Sequence, residues 1–172
     1  MLNKLKNRKS QEGFTIIEVL IVLAIAGLIL LIVFLAVPNL QRSSRNTQVR
    51  NGVSTVLGYV SDYTTNHNGA APVGAFYDPA TGNVCMDKAA VSACATSGAT
   101  GYVGKLQGGL TVAFTIGARG PAEPTAASTI NVWIGGTCAT STVTGGAASP
   151  RATAAGFVTE SGSGVIPQCT DS

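Results

Sequence analysis

Three residues near the start of this 172-residue sequence have types and spacing suited to chemistry: Gly13, Phe14 and Glu18. Gly13 stands where a polar, basic segment meets a long apolar run. A small residue with a permissive backbone at such a border is a natural place for a peptidase to cut. Cutting after Gly13 would release the polar segment, keep the apolar run and create an α-amine on Phe14. That amine would lie one helical turn from the Glu18 carboxylate. An acid in a membrane helix costs roughly 2.5–3.5 kcal/mol at the bilayer centre and less near the interface. A residue kept at that cost is a functional candidate, and its natural partner is an opposite charge.

The cysteines form a second set. Cys85, Cys94, Cys138 and Cys169 all follow the apolar run. An even count in an exported domain implies two disulfides, with three connectivities open. We favour Cys85 with Cys94, which closes a short loop, and Cys138 with Cys169, which ties the C-terminal tail to the body. There is no CxxC pair and His67 is the lone histidine, so the cysteines do not read as a zinc site.

Other chemistry is absent from the sequence. It has no Walker loop, no HExxH and no GxSxG. Asp62, Asp78, Asp87, Glu123, Glu160 and Asp171 are scattered, without the spacing of an acid pair or a calcium loop. Glu160 with Asp171 is a thin basis for a calcium site. No catalytic residue, cofactor or metal is expected, and the chain does not read as an enzyme. Arg42, Arg45 and Arg50 are the stripe a nucleic acid would use. They lack interleaved aromatics, so a solvated or subunit-contacting face is favoured.

The elements that position Gly13, Phe14 and Glu18 are clear in outline. Phe14 to Val37 is a run of 24 residues whose one charge is Glu18. As a helix it is about 36 Å long, enough to span the roughly 30 Å hydrocarbon core with tilt. Lys4, Lys6, Arg8 and Lys9 precede it, which predicts a cytoplasmic N-terminus. A secretory signal would have an apolar region of only about 7–15 residues and a small-residue cleavage site at its end. Leu35-Ala36-Val37-Pro38 is a poor site. The formal charge of +3 belongs to the leader, because beyond Gly13 seven basic residues face seven acidic ones.

The string Gly13-Phe14-Thr15-Ile16-Ile17-Glu18-Val19-Leu20, with its basic leader and long apolar helix, resembles the processing motif of type IV prepilins and their pseudopilin relatives. The resemblance covers residues 4 to about 40 and is specific there. Beyond that stretch it is architectural only. It implies cutting after Gly13 by a prepilin peptidase and methylation of the Phe14 amine. It implies that Glu18 pairs with the Phe14 amine of a neighbouring copy, and that the chain forms a homopolymer. A motor ATPase and a platform protein act on such a polymer indirectly. Gly27 matches a small position of the family's helix. Pro38 departs from the pattern by lying further along it, and with Gly27 it brackets a stretch that is a candidate for unwinding.

Past Pro38, Val49, Val53, Val56, Leu57, Val60 and Tyr63 recur at spacings of three and four, one apolar face of an amphipathic helix. Asn68-Gly69 and Pro72 mark its end. Residues 70–98 read as a connecting loop, with a short helix near Asp87 to Ala93. Strands are predicted at Tyr102 to Gln107 and Leu110 to Ile116, joined as a hairpin by Gly108-Gly109. Further strands are predicted around Ile130 to Ile134, with weaker signals at Thr140 to Thr144 and Phe157 to Glu160. Ser161 to Gly164 and Gly145-Gly146 read as exposed loops. The fold class is α+β: a long N-terminal helix, apolar then amphipathic, packed on a small antiparallel sheet of three to five strands. The chain divides into a leader (1–13), a transmembrane and assembly helix (14–38), an amphipathic helix (39–69) and a disulfide-stabilised sheet region (70–172).

The resemblance implies a structural subunit, a major pilin ahead of a minor pilin or pseudopilin. It implies residence in the cytoplasmic membrane before assembly and in a surface filament after. A membrane-anchored extracellular binding domain that never polymerises is the competing class.

Overall fold

The α-helical periodicity takes form as one helix, α1, over Ile16–Asn66, with Pro38 inside it. A computed structural model describes residues 13–87, 94, 101–117, 123–139, 149 and 151–172. The chain divides into two units, residues 1–40 and 41–172.

In the first unit, every described residue is exposed. An apolar stripe confined to one face would bury against its own chain. Here the residues are apolar all round, which suits a membrane or a bundle of like helices. The most apolar 18-residue window of α1 has a mean hydropathy of 3.4 and is long enough to cross a membrane.

In the second unit, α1 buries Val49, Val53, Val56, Leu57, Val60 and Tyr63. These join one core with Val84, Met86, Leu106, Leu110, Ile130, Val132 and Phe157. The helix ends where Asn68 and Gly69 take left-handed backbones (φ 56° and 79°). Its last turn holds no basic residue. Arg151 supplies one from afar, its Nε donating to the Gly69 carbonyl at 3.2 Å. A Cβ on Gly69 would fall 2.6 Å from that guanidinium, so the position favours glycine twice over.

Two sheets oppose the helix. The first pairs β1 (Ala75–Tyr77), β2 (Asn83–Met86) and β3 (Tyr102–Lys105), all antiparallel. The second has the order β4 (Thr111–Ile116), β5 (Thr129–Ile134), β6 (Thr153–Ser161) and β7 (Gly164–Asp171). Its β4–β5 pair is parallel and the others are antiparallel. Ile130, Val132 and Ile134 face the main core. Trp133 lies on the opposite face with Ala154, Cys138 and Cys169. Its indole N–H donates to the Gly117 carbonyl at 2.6 Å. Gly136 passes so close that a Cβ there would meet the indole at 2.0 Å.

The α+β class with a long N-terminal helix is the observed one, and three local expectations are corrected. The hairpin expected at Gly108-Gly109 does not form, because β3 pairs with β2 while β4 runs parallel to β5. Of the two glycines only Gly109 has a positive φ, whereas a primed turn needs one at its first central residue. The strands also belong to two sheets and not to one antiparallel sheet. Residues 70–98 are not all loop, since β1 and β2 lie within them. The expected loop at Ser161 to Gly164 is the tight turn of the β6–β7 hairpin, where Ser161 pairs with Gly164. The expected short helix falls beyond Asp87, outside the described residues, as do Thr140 to Thr144 and Gly145-Gly146.

Candidate functional site

Gly13, Phe14 and Thr15 lie just ahead of the first helical turn, outside regular structure. Phe14 is 89% exposed. Thr15 caps the helix. Its backbone N–H donates to Glu18 Oε2 at 2.8 Å and its hydroxyl donates to the same oxygen at 2.7 Å. The Glu18 amide donates back to Thr15 Oγ at 3.3 Å. This is a capping box, in which the first and fourth residues satisfy each other's orphan groups at a helix start. Its signature, Thr15-x-x-Glu18, stands in the sequence ahead of the apolar run.

The capping box bears on what Glu18 can do. The carboxylate has a partner within its own chain, which lowers the cost of holding it at an apolar helix start. Both donors converge on Oε2, and no described residue holds Oε1. A cut after Gly13 would leave the new amine on the residue next to Thr15. The carboxylate would then be held in place with one oxygen open to a cation.

Gly27 and Pro38 both lie inside continuous helix. A Cβ on Gly27 would meet nothing within 4 Å. The arginine stripe is divided. Arg45 forms a two-pronged ion pair with Glu160, at 2.9 and 2.6 Å. Asn46 pairs with the Glu160 backbone in both directions, at 2.9 and 2.7 Å. The Arg45 hydrogen bonds hold the Glu160 carboxyl below its usual range. Arg45 therefore ties α1 to β6, and the charge of Arg42 adds a weaker attraction to the same carboxylate.

The other polar groups have structural posts. His67 stacks on Tyr63 with ring centroids 3.8 Å apart, and its Nδ1 lies 2.9 Å from the Tyr63 carbonyl oxygen. The Tyr63 hydroxyl donates to Asp87, whose other oxygen accepts the Val73 N–H at 2.9 Å. Burial, with Asp87 as a second cause, pushes the Tyr63 hydroxyl up to about 12. Asp78 closes its own turn through Ala80 and Thr81. Asp171 accepts the Cys138 N–H at 3.3 Å. Glu160 and Asp171 sit at opposite ends of the β6–β7 hairpin, so they do not make the calcium pair considered from sequence. No group of three metal-ligating side chains comes together among the described residues.

Cys85 is bridged to Cys94 and Cys138 to Cys169, each with Cα atoms 5.9 Å apart. The first bridge anchors β2. The second joins the segment after β5 to β7, beside Trp133.

Residues 8–34 match the family model described as the prokaryotic N-terminal methylation motif. That motif is the class III signal of type IV pilins and pseudopilins. The match takes in Gly13, Phe14, Thr15, Glu18 and Gly27 and ends before Pro38. No curated protein and no solved structure matches the chain.

Proposed function

From a chain that carries the methylation motif of type IV pilins and pseudopilins, we infer the precursor of a filament subunit that is structural and not catalytic. One observation carries the reading: the motif sits on the first part of α1, where the apolar residues are exposed on every side up to Leu40. Residues 1–13 are the leader, removed after Gly13 by a prepilin peptidase, and Phe14 becomes the methylated terminus. Residues 14–38 anchor the subunit in the cytoplasmic membrane and later pack against other copies. Residues 39–69 carry the amphipathic half of the helix, and 70–172 complete the outward domain. Gly27 and Pro38 mark the stretch that unwinds in the filament.

Glu18 sets the register between copies. Its carboxylate meets the Phe14 amine of the next subunit, and the low dielectric strengthens that attraction. A head-to-tail contact of this kind does not close on itself, so it grows a helical fibre. The pair acts as a device for alignment more than as glue. Among filament subunits we place the chain as a major pilin of an exposed fibre serving adhesion, motility or DNA uptake. Two bridged cysteine pairs and a sparsely charged surface suit that exposure.

Glu18→Ala tests the register role. Export and membrane insertion should stay at the wild-type level while sheared filaments disappear. Filaments in normal amount from that variant would refute it.

A further inference from the structure

Two contacts fix the direction of β6 along α1. At one end Arg151, just before β6, donates to the Gly69 carbonyl beyond the last turn of the helix. At the other end the Arg45 guanidinium holds Glu160, whose backbone N–H and carbonyl are both paired with the Asn46 side chain. The lengths agree. A strand covers about 30 Å from Arg151 to Glu160, and a helix covers about 32 Å from Arg45 to Asn66. β6 therefore runs back along the second half of α1. The turn of the β6–β7 hairpin lies at the end of the second unit where the chain enters from the apolar run. Only about 12 Å of helix separates Arg45 from Val37, the last residue of that run. Chain length sets this limit, whatever the angle between the two units.

The turn has the composition of a surface that meets an apolar phase. Among its described residues, the second unit exposes few large apolar side chains: Val73, Ile116, Val165 and Ile166. Val165 and Ile166 are adjacent and directly follow the turn. Neighbours on a strand point to opposite faces, so a partner lying on either sheet face would cover one of them and leave the other wet. Entry of the hairpin tip-first covers both. Ser161 to Gln168 carries no charge. The Ser161 hydroxyl donates to the Gly164 carbonyl and accepts the Ser163 N–H, so these groups of the turn are satisfied without water. A Cβ on Gly162 or Gly164 would meet nothing within 4 Å, so the tip stands clear of the rest of the chain. At its base two guanidiniums, Arg45 and Arg42, face the one Glu160 carboxylate. That balance leaves a positive charge, which lipid phosphates attract.

We propose that the turn of the β6–β7 hairpin is a lipid-contacting tip, which seats Val165 and Ile166 in the headgroup layer beside the point where the chain leaves the membrane. That layer is about 5–7 Å deep on each side of the hydrocarbon core. Past Glu160 the hairpin runs on by about 7 Å before it turns. Two apolar side chains are a weak anchor for a free protein. Here the spanning helix already holds the tip at the surface, so the contact is intramolecular and a weak one suffices. The proposal rests on the reading that residues 14–38 span the membrane, and adds to it a second contact made by the outward domain before assembly.

Lipid quenching tests it. Val165→Cys, Val73→Cys and Leu35→Cys are each labelled with bimane, with the two native disulfides closed. Each full chain is placed singly in nanodiscs of phosphatidylethanolamine and phosphatidylglycerol, so that no second copy is present. Val73 lies beyond Gly69, at the other end of the second unit, and is the control. A nitroxide on the lipid headgroup should quench the probe at 165 at least about threefold more than the probe at 73. A nitroxide on the acyl chain should quench the probe at 35. Equal quenching at 165 and 73, with 35 quenched, would overturn the lipid contact and leave the spanning helix standing. Quenching at 165 that appears only in vesicles holding many copies would assign the tip to a neighbouring subunit and overturn the proposal. A probe at 35 that escapes the acyl-chain nitroxide would overturn both.

Discussion

Glu18 changes meaning once Thr15 is seen beside it. A lone acid in an apolar helix is a cost awaiting a partner. An acid in a capping box has its local hydrogen bonds in place and one oxygen left for a neighbour. If Glu18 meets a neighbouring copy as proposed, Thr15 is the residue that positions its carboxylate. Thr15→Val removes the hydroxyl and keeps the shape, and should lower filament yield while membrane insertion holds. Thr15→Ser should preserve yield. Equal yields from the two variants, counted in sheared preparations, would remove Thr15 from the account. A second residue-scale expectation concerns Tyr63. Its folded-state value of about 12 lies above the ordinary 10. A raised value means that the protonated form is favoured by folding. The associated stability is therefore complete below about pH 10 and is lost as pH climbs from about 10 to 12. Tyr63→Phe should cost about 1–3 kcal/mol near neutral pH by leaving Asp87 a donor short. It should also flatten the alkaline limb of a thermal-unfolding profile. An unchanged alkaline limb would contradict the assignment.

At the scale of elements, much of α1 was legible, because a stripe at spacings of three and four has one physical reading. Asn68-Gly69 was legible as its end for the same kind of reason: few residues accept a left-handed backbone. The alternation of Ile130, Val132 and Ile134 against Trp133 was legible too, since the strand period is two. Strand partners were not. Parallel pairing of β4 with β5 is a long-range outcome with no local turn signal, and Gly108-Gly109 offered a false one. β1 and β2 are only three and four residues long, too short to show a period among Pro72, Pro79 and Gly82. β7 was hidden by Pro167 and by the polar turn that precedes it. At the N-terminus the methylation motif was legible in Gly13, Phe14 and Glu18, and the Thr15 cap in the spacing Thr15-x-x-Glu18. The second disulfide belongs to this scale. Replacing Cys138 and Cys169 together with serine should cost about 2–4 kcal/mol. It should also loosen the packing of β7 beside Trp133. Hydrogen exchange across Gly164–Asp171 would report it, and unchanged protection there would contradict that role for the bridge.

For the whole molecule, the central imbalance is that one unit has its own core and the other, among its described residues, has none. An apolar helix with no core of its own has two homes, a membrane and a bundle of its own kind, and the account has it use them in turn. In the proposed function, processing at the methylation motif is the step between them. The most direct test is the intact mass and N-terminal sequence of protein sheared from the cell surface. The account predicts a chain that begins at Phe14 with a methylated amine and lacks four hydrogens for its two disulfides. A chain that still begins at Met1, and is found in the membrane fraction and never in sheared material, would contradict it.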